Sequence, residues 1–216
     1  MTKELILKEF QLNIIPWSFL WLAGVFLVLI PSWVHFVAMS YMFFFFMHLS
    51  QMDKANQDLA FVVSLPVPKA GIVRARTATV VIMEVAQLVM LIPLAIVRFW
   101  IYPGGNEISM NTNLAFFGSI LVMYAVFNLI YLTGSYKRAY RMLWPIAGGY
   151  TIAVVVGGLL TTLIMVVPAL NRTLNDRGLG NLGFQMIAFG CGGAVFIGLT
   201  YLAYRRAVSN FSKVDL

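Results

Sequence analysis

The residue that most needs a chemical explanation is Glu84, which lies seven residues into a long apolar run. Gln87 follows three residues later, so a helix would place both side chains on one face. A carboxylate in such a run is costly unless it faces protein or water and has a partner. Asn128 lies at a similar depth in the next apolar run. We predict that Glu84 meets Asn128, or that Glu84 faces a water-filled vestibule.

Two roles are open for Glu84, Gln87 and Asn128: a structural polar clamp, or a part in substrate translocation or gating. Other chemical signals are missing from the sequence. It has no GxxxxGK[ST] phosphate-binding loop and no cluster of His, Cys, Asp and Glu at metal-ligand spacing. His35 and His48 are too far apart to share a metal within one helix, and we expect them at the membrane interface. The sequence predicts no catalytic residue, no bound metal and no enzyme.

The composition predicts an all-α polytopic membrane protein. Hydrophobic residues make up 61% of the chain and charged residues 11%, whereas soluble domains contain about 25% charged residues. The net charge of +7 does not indicate a nucleic-acid partner, because the basic residues lie at the ends of apolar runs and form no basic face. The single cysteine, Cys191, excludes an intrachain disulfide and is expected to be a small packing residue.

Six apolar runs predict six transmembrane helices in a single transmembrane domain, residues 1–216. Residues 1–13 predict a short amphipathic helix on the membrane surface, with a solvated tail as the alternative. Residues 51–76 predict a cytoplasmic elbow, and residues 205–216 a cytoplasmic tail. Spans one and two occupy residues 14–50, and spans three to six occupy residues 77–204. The predicted spans are Ile14–Ile30, Trp33–Ser50, Thr77–Trp100, Leu114–Thr133, Trp144–Val167 and Gly183–Tyr204. Pro31 and Ser32 should form the first turn, and Pro93 should kink span three.

The basic residues predict the orientation of the chain. With six spans, 12 of the 15 Lys and Arg residues lie on the side of the two termini and the elbow. Only Arg98, Arg172 and Arg177 lie on the other side. The positive-inside rule therefore places both termini and the elbow in the cytoplasm.

Small residues recur at helical spacing in spans five and six. Such stripes allow two helix backbones to approach closely in lipid. The stripes serve packing within one subunit or form a dimer seam. The residues are Gly149, Ala153 and Gly157, continued by Thr161, and Gly190, Ala194 and Gly198.

The elbow should contain a helix, a rigid break and a second helix. Residues 58–65 suit a short helix, with Asp53 or Asp58 as its N-terminal cap. Pro66 disfavours helical geometry at the preceding residue and should end that helix. The second helix leads into span three, and three of its basic side chains are expected at the lipid headgroups: Lys69, Arg74 and Arg76.

The first elbow helix is too apolar for an exposed loop. Leu59, Phe61, Val62 and Val63 form an apolar ridge that needs lipid or a protein groove to cover it. The residues alone leave both possibilities open.

The run Ser64–Arg76, SLPVPKAGIVRAR, resembles the SLPVSR..IV.AR run of ABC-2-type transporter permeases. It is most similar to the small six-span bacterial group that includes the permeases of the phenol-soluble-modulin exporter. Pro68 and Gly71 stand where that family more often has polar residues. The short N-terminal amphipathic stretch and the chain length also fit the resemblance.

The resemblance implies a coupling helix that binds a separate cytoplasmic ATPase, in a complex of two permeases and two ATPases. ATP and magnesium would then be bound by the partner, and this chain would bind no cofactor. The residues expected to contact the ATPase are Asp53, Asp58, Leu59, Phe61, Val62, Leu65, Pro66, Val67 and Lys69.

The function expected from the resemblance is that of the permease subunit of an ATP-binding-cassette exporter in the bacterial plasma membrane. Its substrate would be amphipathic, such as a peptide toxin or an antibiotic. Its partners would be the ATPase, a second permease copy or paralogue, and membrane lipid, with no nucleic acid. Two alternatives stay open: a non-transporting immunity, sensor or assembly protein that uses the same elbow, and a small ion-coupled carrier that works through Glu84.

Overall fold

The chain is all-helical in the computed structural model, which describes residues 2–13, 16–137 and 143–214. Within these ranges there is no β-strand. The α-helices are α1 (Thr2–Lys8), α2 (His35–Ser40), α3 (Met42–Ala55), α4 (Asp58–Ser64), α5 (Lys69–Ile101), α6 (Leu114–Ser135), α7 (Leu143–Val166), α8 (Pro168–Leu174) and α9 (Leu182–Ser212). A π-helical turn, Glu9–Asn13, extends α1, and two 3-10 segments, Pro16–Leu20 and Leu22–Leu29, precede α2.

Four of the described helices, α5, α6, α7 and α9, are long and apolar enough to cross a membrane. The most apolar part of α6 is largely buried inside the protein, whereas α7 and α9 are mostly exposed. Apolar surface of this extent is stable in lipid and not in water. The chain is therefore a multi-pass membrane protein with α6 at its centre.

Two of the long helices extend beyond their predicted bounds. α5 begins at Lys69 and is continuous through Pro93, so the second elbow helix and span three are one element. α9 continues to Ser212 and includes most of the predicted tail. Phe211 explains this extension, because its buried ring packs 5.1 Å from the ring of Tyr136.

The segment predicted as span one is a 3-10 helix over much of its length, whereas we expected a single α-helix. Gly24, Val25 and Val28 have low α-helix propensity, which favours this departure. Gly24 also permits close packing, since a Cβ atom there would lie 2.6 Å from the Cβ of Tyr41. Residues 22–29 therefore pack tightly against the start of α3.

The turn at Pro31 and Ser32 is present as predicted, and Ser32 has a positive φ of 54°. The segment predicted as span two is divided at Tyr41 into α2 and α3. Both helices contribute buried apolar side chains to the core beside α6.

The small-residue stripe of α7 packs against α6 within the subunit, as one of the two interpretations predicted. Gly149, Ala153 and Gly157 are all buried. A Cβ atom on Gly157 would lie 2.8 Å from the sulfur of Met123 in α6. The stripe thus lets α7 approach the central helix closely.

For Gly190, Ala194 and Gly198 the interpretation as packing inside the subunit is wrong, because all three are exposed, and a dimer seam is the interpretation that stays open. Gly192 is the residue that meets α6, and a Cβ atom there would overlap the backbone of Gly118. This contact sets the rotation of α9 and turns the stripe outward. Cys191 is exposed for the same reason and is not a packing residue.

Candidate functional site

Within the elbow, residues 56–68 connect α3 to α5 and contain the predicted helix and break. Gln57 has left-handed backbone geometry, with φ 49°, and precedes α4. Leu65 is extended, with φ −80° and ψ 152°, as the ring of Pro66 requires. The elbow therefore turns sharply at both ends of α4.

The predicted capping of α4 is wrong. Gln57 occupies the cap position, and its side chain forms no capping hydrogen bond. Asp58 instead lies 2.6 Å from the Nζ atom of Lys8, and Asp53 lies 2.5 Å from an Nη atom of Arg76. Each carboxylate thus forms an ion pair with a cation. Without an opposite charge, a buried carboxylate would be strongly destabilising.

These contacts belong to a buried charge cluster, which we define as Lys8, Glu9, Asp53, Asp58 and Arg76. Nη2 of Arg76 lies 3.0 Å from Oε2 of Glu9, and Nζ of Lys8 lies 3.5 Å from Oε1 of Glu9. Arg76 is only 8% exposed. The prediction that Arg76 lies at the lipid headgroups is therefore wrong, because it forms ion pairs inside the protein.

The charge cluster joins the N-terminal segment to the elbow and to α5. Lys8 and Glu9 come from that segment, the two aspartates from the end of α3 and the start of α4, and Arg76 from the second turn of α5. Leu5 is also buried. The N-terminal helix thus packs on protein through its inner face. We had predicted that it lies on the membrane surface.

The cluster contains three carboxylates and two cations. Burial raises the pKa of Asp53, and the charge of Arg76 opposes this rise only in part. A small cavity of about 30 Å³ adjoins the cluster and is also lined by Tyr131 and Tyr136 of the α6 end. The pKa of Asp53 therefore depends on the charge of Arg76. Arg76 is the cation that Asp53 shares with Glu9.

One part of the outer surface of the elbow is apolar. Phe61 is 55% exposed, and Leu65 and Pro66 are exposed beside it. We call these three residues the exposed edge. Val62 is 1% exposed and packs inward, and the side chain of Leu59 lies outside the described part of the chain. The predicted apolar ridge is thus divided between the core and the surface.

Lys69 and Val67 make contacts within the chain. Nζ of Lys69 donates to the carbonyl of Val214 at 2.7 Å and lies 5.4 Å from the centre of the Phe211 ring. Val67 is half-buried against the core. These contacts hold the start of α5 to the end of α9.

The predicted contact between Glu84 and Asn128 is present. Nδ2 of Asn128 donates to Oε2 of Glu84 at 2.9 Å and also lies 3.2 Å from Oγ1 of Thr200. One turn further along α5, the Gln87 side chain accepts a hydrogen bond from the hydroxyl of Tyr124. Glu84 is 0% exposed and so faces protein. These polar contacts connect α5, α6 and α9 within the apolar part of the bundle.

Comparison with known protein families identifies the class of the chain. The family model described as ABC-2 family transporter protein matches residues 2–211. This chain belongs to the ABC-2 family. ABC-2 proteins are membrane permease components of ABC transporters without an ATPase of their own, and they generally work with a cytoplasmic ATPase. The match does not support the finer resemblance to the phenol-soluble-modulin exporter group.

No curated protein and no solved structure gives a significant match to this ABC-2 chain.

Sequence reasoning about the ABC-2 chain missed Tyr124, Thr200 and the ion pairs of Arg76. One signal for the ion pairs was available. Five charges of both signs lie near the ends of apolar runs that the predicted topology brings to one membrane face, and such a set favours pairing. For the two hydroxyl residues we find no comparable signal, because serine, threonine and tyrosine are common in membrane helices.

We expect Glu84→Gln to insert, fold and transport like the unchanged ABC-2 protein. The glutamine carbonyl can accept the same hydrogen bond from Asn128. Glu84→Leu should instead cost about 1–3 kcal/mol, because it leaves the buried amide of Asn128 without this acceptor. Thermal unfolding of the purified proteins measures the difference. A Glu84→Gln protein that keeps its thermal stability but loses transport would show that Glu84 acts in translocation or gating.

Proposed function

We propose that this chain is the permease subunit of an ABC exporter in the bacterial plasma membrane and that its elbow binds a separate cytoplasmic ATPase. ATP and magnesium would be bound by that partner. One observation carries the proposal. Phe61 of the exposed edge lies on the same short helix, α4, whose Asp58 enters the buried charge cluster, and Leu65 and Pro66 directly follow this helix. A partner that binds α4 is therefore linked to α1 and α5 through the ion pairs of the charge cluster.

The proposed coupling runs from the exposed edge to the long helix α5. Movement of α4 displaces Asp58 and, through their ion pair, Lys8 of α1. Asp53 at the end of α3 transmits the movement to Arg76 of α5 through a second ion pair. Helices transmit such displacements as rigid elements, because interiors are closely packed. Since α5 is continuous from Lys69 to Ile101, displacement at Arg76 would reach its far end.

Contacts along α5 support six membrane crossings. Glu9 meets Arg76 near one end of α5, and the carbonyl of Val28 meets Arg98 near the other. These two arginines are separated by about 33 Å at the α-helical rise of about 1.5 Å per residue. The chain between Glu9 and Val28 would therefore cross a hydrocarbon layer of about 30 Å.

The return crossing has similar support. The backbone N–H of His35 donates to Oγ of Ser109 in the loop after α5, while Asp53 contacts Arg76 at the other end. With α5, α6, α7 and α9 this makes six crossings, and the basic residues would place both termini in the cytoplasm.

The proposed topology predicts labelling from opposite sides of the membrane. In a Cys191→Ala background, a membrane-impermeant maleimide added to intact cells should label Glu107→Cys. It should label Ser212→Cys only after the membrane is permeabilised. Both positions are exposed. Labelling of both residues in intact cells would contradict the six-span arrangement.

We propose that the permease works as a pair, formed with a second copy or a paralogue, and exports an amphipathic substrate such as a peptide toxin or an antibiotic. The outward stripe Gly190, Ala194 and Gly198 offers a surface for close helix contact. The apolar, methionine- and phenylalanine-rich spans suit a substrate that is itself partly apolar.

Reconstitution with the cognate ATPase tests the proposed function. Proteoliposomes that contain both subunits should move a fluorescent amphipathic peptide only when ATP and magnesium are supplied. Proteoliposomes with the permease alone should not move it. Transport by the permease alone under a pH gradient would contradict the proposal and favour an ion-coupled carrier.

A further inference from the structure

A large cavity lies between α5 and α9, at the end of the bundle opposite the charge cluster. We call it the outer cavity. Its volume is about 490 Å³, within the usual range for sites that hold small molecules. Its walls are mainly apolar. Several wall side chains are exposed on the outside of the helix bundle, so the cavity is open toward the surrounding lipid. The main apolar wall residues are Ile92, Ile96, Phe99, Phe117, Leu182 and Phe189.

Two arginines line the outer cavity, and no Asp or Glu does so among the described residues. The guanidinium of Arg98 lies 5.0 Å from the ring centre of Tyr102, and that of Arg177 lies 4.8 Å from that of Phe99. Within the described ranges, neither arginine forms an ion pair. The cavity therefore combines an apolar wall with two arginines whose charges are not neutralised by an ion pair within the described ranges.

The two arginines keep hydrogen-bonding capacity. Each guanidinium carries five N–H donors. The Nη1 atom of Arg98 donates to the carbonyls of Val28 and Ile30. Arg177 donates to the carbonyls of Pro103 and Phe99. These bonds fix both side chains in place and leave further donors on each for an oxygen anion.

We propose that the outer cavity binds one anionic phospholipid from the adjacent membrane leaflet. Its phosphate would lie between Arg98 and Arg177, and an acyl chain would extend along the apolar walls of α5 and α9. Arginine is well suited to phosphate because its planar donors match the phosphate oxygens. A free phosphate ion would leave the apolar walls uncovered. Lipid binding here needs neither the ATPase nor transport, so it stands apart from the proposed function.

Competition between two lipids tests this site on the full-length protein. The permease is purified from an equimolar mixture of phosphatidylglycerol and phosphatidylcholine with identical acyl chains, and native mass spectrometry counts the retained lipids. We expect the unchanged protein to retain phosphatidylglycerol preferentially. Arg177→Gln should lower this preference about tenfold, because it removes one of the two positive charges that favour the net negative phosphatidylglycerol over the zwitterionic phosphatidylcholine. Arg172→Gln, which removes an exposed arginine of α8 outside the cavity, should leave it unchanged.

A second variant tests the cavity without changing its charge. Ala95 lines the cavity, and Ala95→Trp should fill it and abolish retention of phosphatidylglycerol while both arginines stay in place. Equal retention of the two lipids by the unchanged protein would overturn the proposal. The same loss of preference in Arg172→Gln and Arg177→Gln would also overturn it, because general surface charge would then explain the binding.

Discussion

Replacing Arg76 with glutamine should detach the N-terminal helix α1 from α5 and destabilise the folded protein by about 3–5 kcal/mol, the usual cost of breaking a buried ion pair from one side. The change leaves Glu9 and Asp53 buried without their shared cation. The midpoint of thermal unfolding of the full-length protein measures the loss of stability. Maleimide labelling of Leu5→Cys in a Cys191→Ala background measures the detachment, because Leu5 is buried in the intact protein.

Arg74→Gln is the matched control for this substitution. Arg74 lies in the same helix two residues earlier, carries the same charge and is exposed, so its loss should change the unfolding midpoint little. If Arg76→Gln unfolds at the same temperature as Arg74→Gln, the charge cluster does not hold α1 to α5.

The pH dependence of the Arg76→Gln protein gives a second test. Burial raises the pKa of Asp53 even with Arg76 present, and removal of the cation raises it further. The folded state then binds more protons than the unfolded state, so stability increases as pH falls toward and below the folded-state pKa. We expect the unfolding midpoint of Arg76→Gln to approach that of the unchanged protein at acidic pH. A deficit that widens on acidification would contradict this electrostatic explanation.

Phe61→Asp should weaken binding of the cytoplasmic ATPase about thirtyfold or more and abolish ATP-dependent transport. Phe61 is the most exposed large apolar residue in the described part of the elbow. Truncating a central apolar contact typically costs 2 kcal/mol or more, and a buried charge there adds a desolvation penalty. Titration of purified ATPase against the permease in nanodiscs measures the affinity.

Two controls accompany Phe61→Asp. Phe61→Leu keeps an apolar contact and should retain most of the affinity. Ser212→Asp adds the same charge at an exposed position near the end of α9, outside the elbow, and should bind the ATPase normally. Phe61→Asp should also unfold at the normal temperature, because its side chain contributes little to the core. Normal ATPase affinity in Phe61→Asp would remove the exposed edge from the coupling surface.

Local rules predicted a good part of the fold and of the polar contacts. Hydropathy predicted α6 and α7 closely because each is an uninterrupted apolar run between polar loops. The break at Leu65 followed from the steric effect of Pro66 alone. The contact between Glu84 and Asn128 was predictable because two polar side chains at similar depth in consecutive helices favour each other over lipid.

The remaining features depend on contacts between distant parts of the chain. An arginine at the end of an apolar run normally extends to the headgroups, and Arg76 turns inward only because Glu9 and Asp53 converge on it. The rotation of α9 was not predictable from its apolar pattern, since apolar residues surround this helix. It depends on the backbone contact of Gly192 with Gly118 in α6.

We propose above all that the cytoplasmic ATPase contacts the exposed edge of the elbow. Photo-crosslinking tests it most directly, with a photoreactive amino acid placed at position 61 or, as the control, at position 212 of the full-length permease in membranes that contain the ATPase. We predict a crosslinked permease–ATPase product from position 61, in higher yield than from position 212. Crosslinking of position 61 only to lipid, with no ATPase product, would contradict the claim.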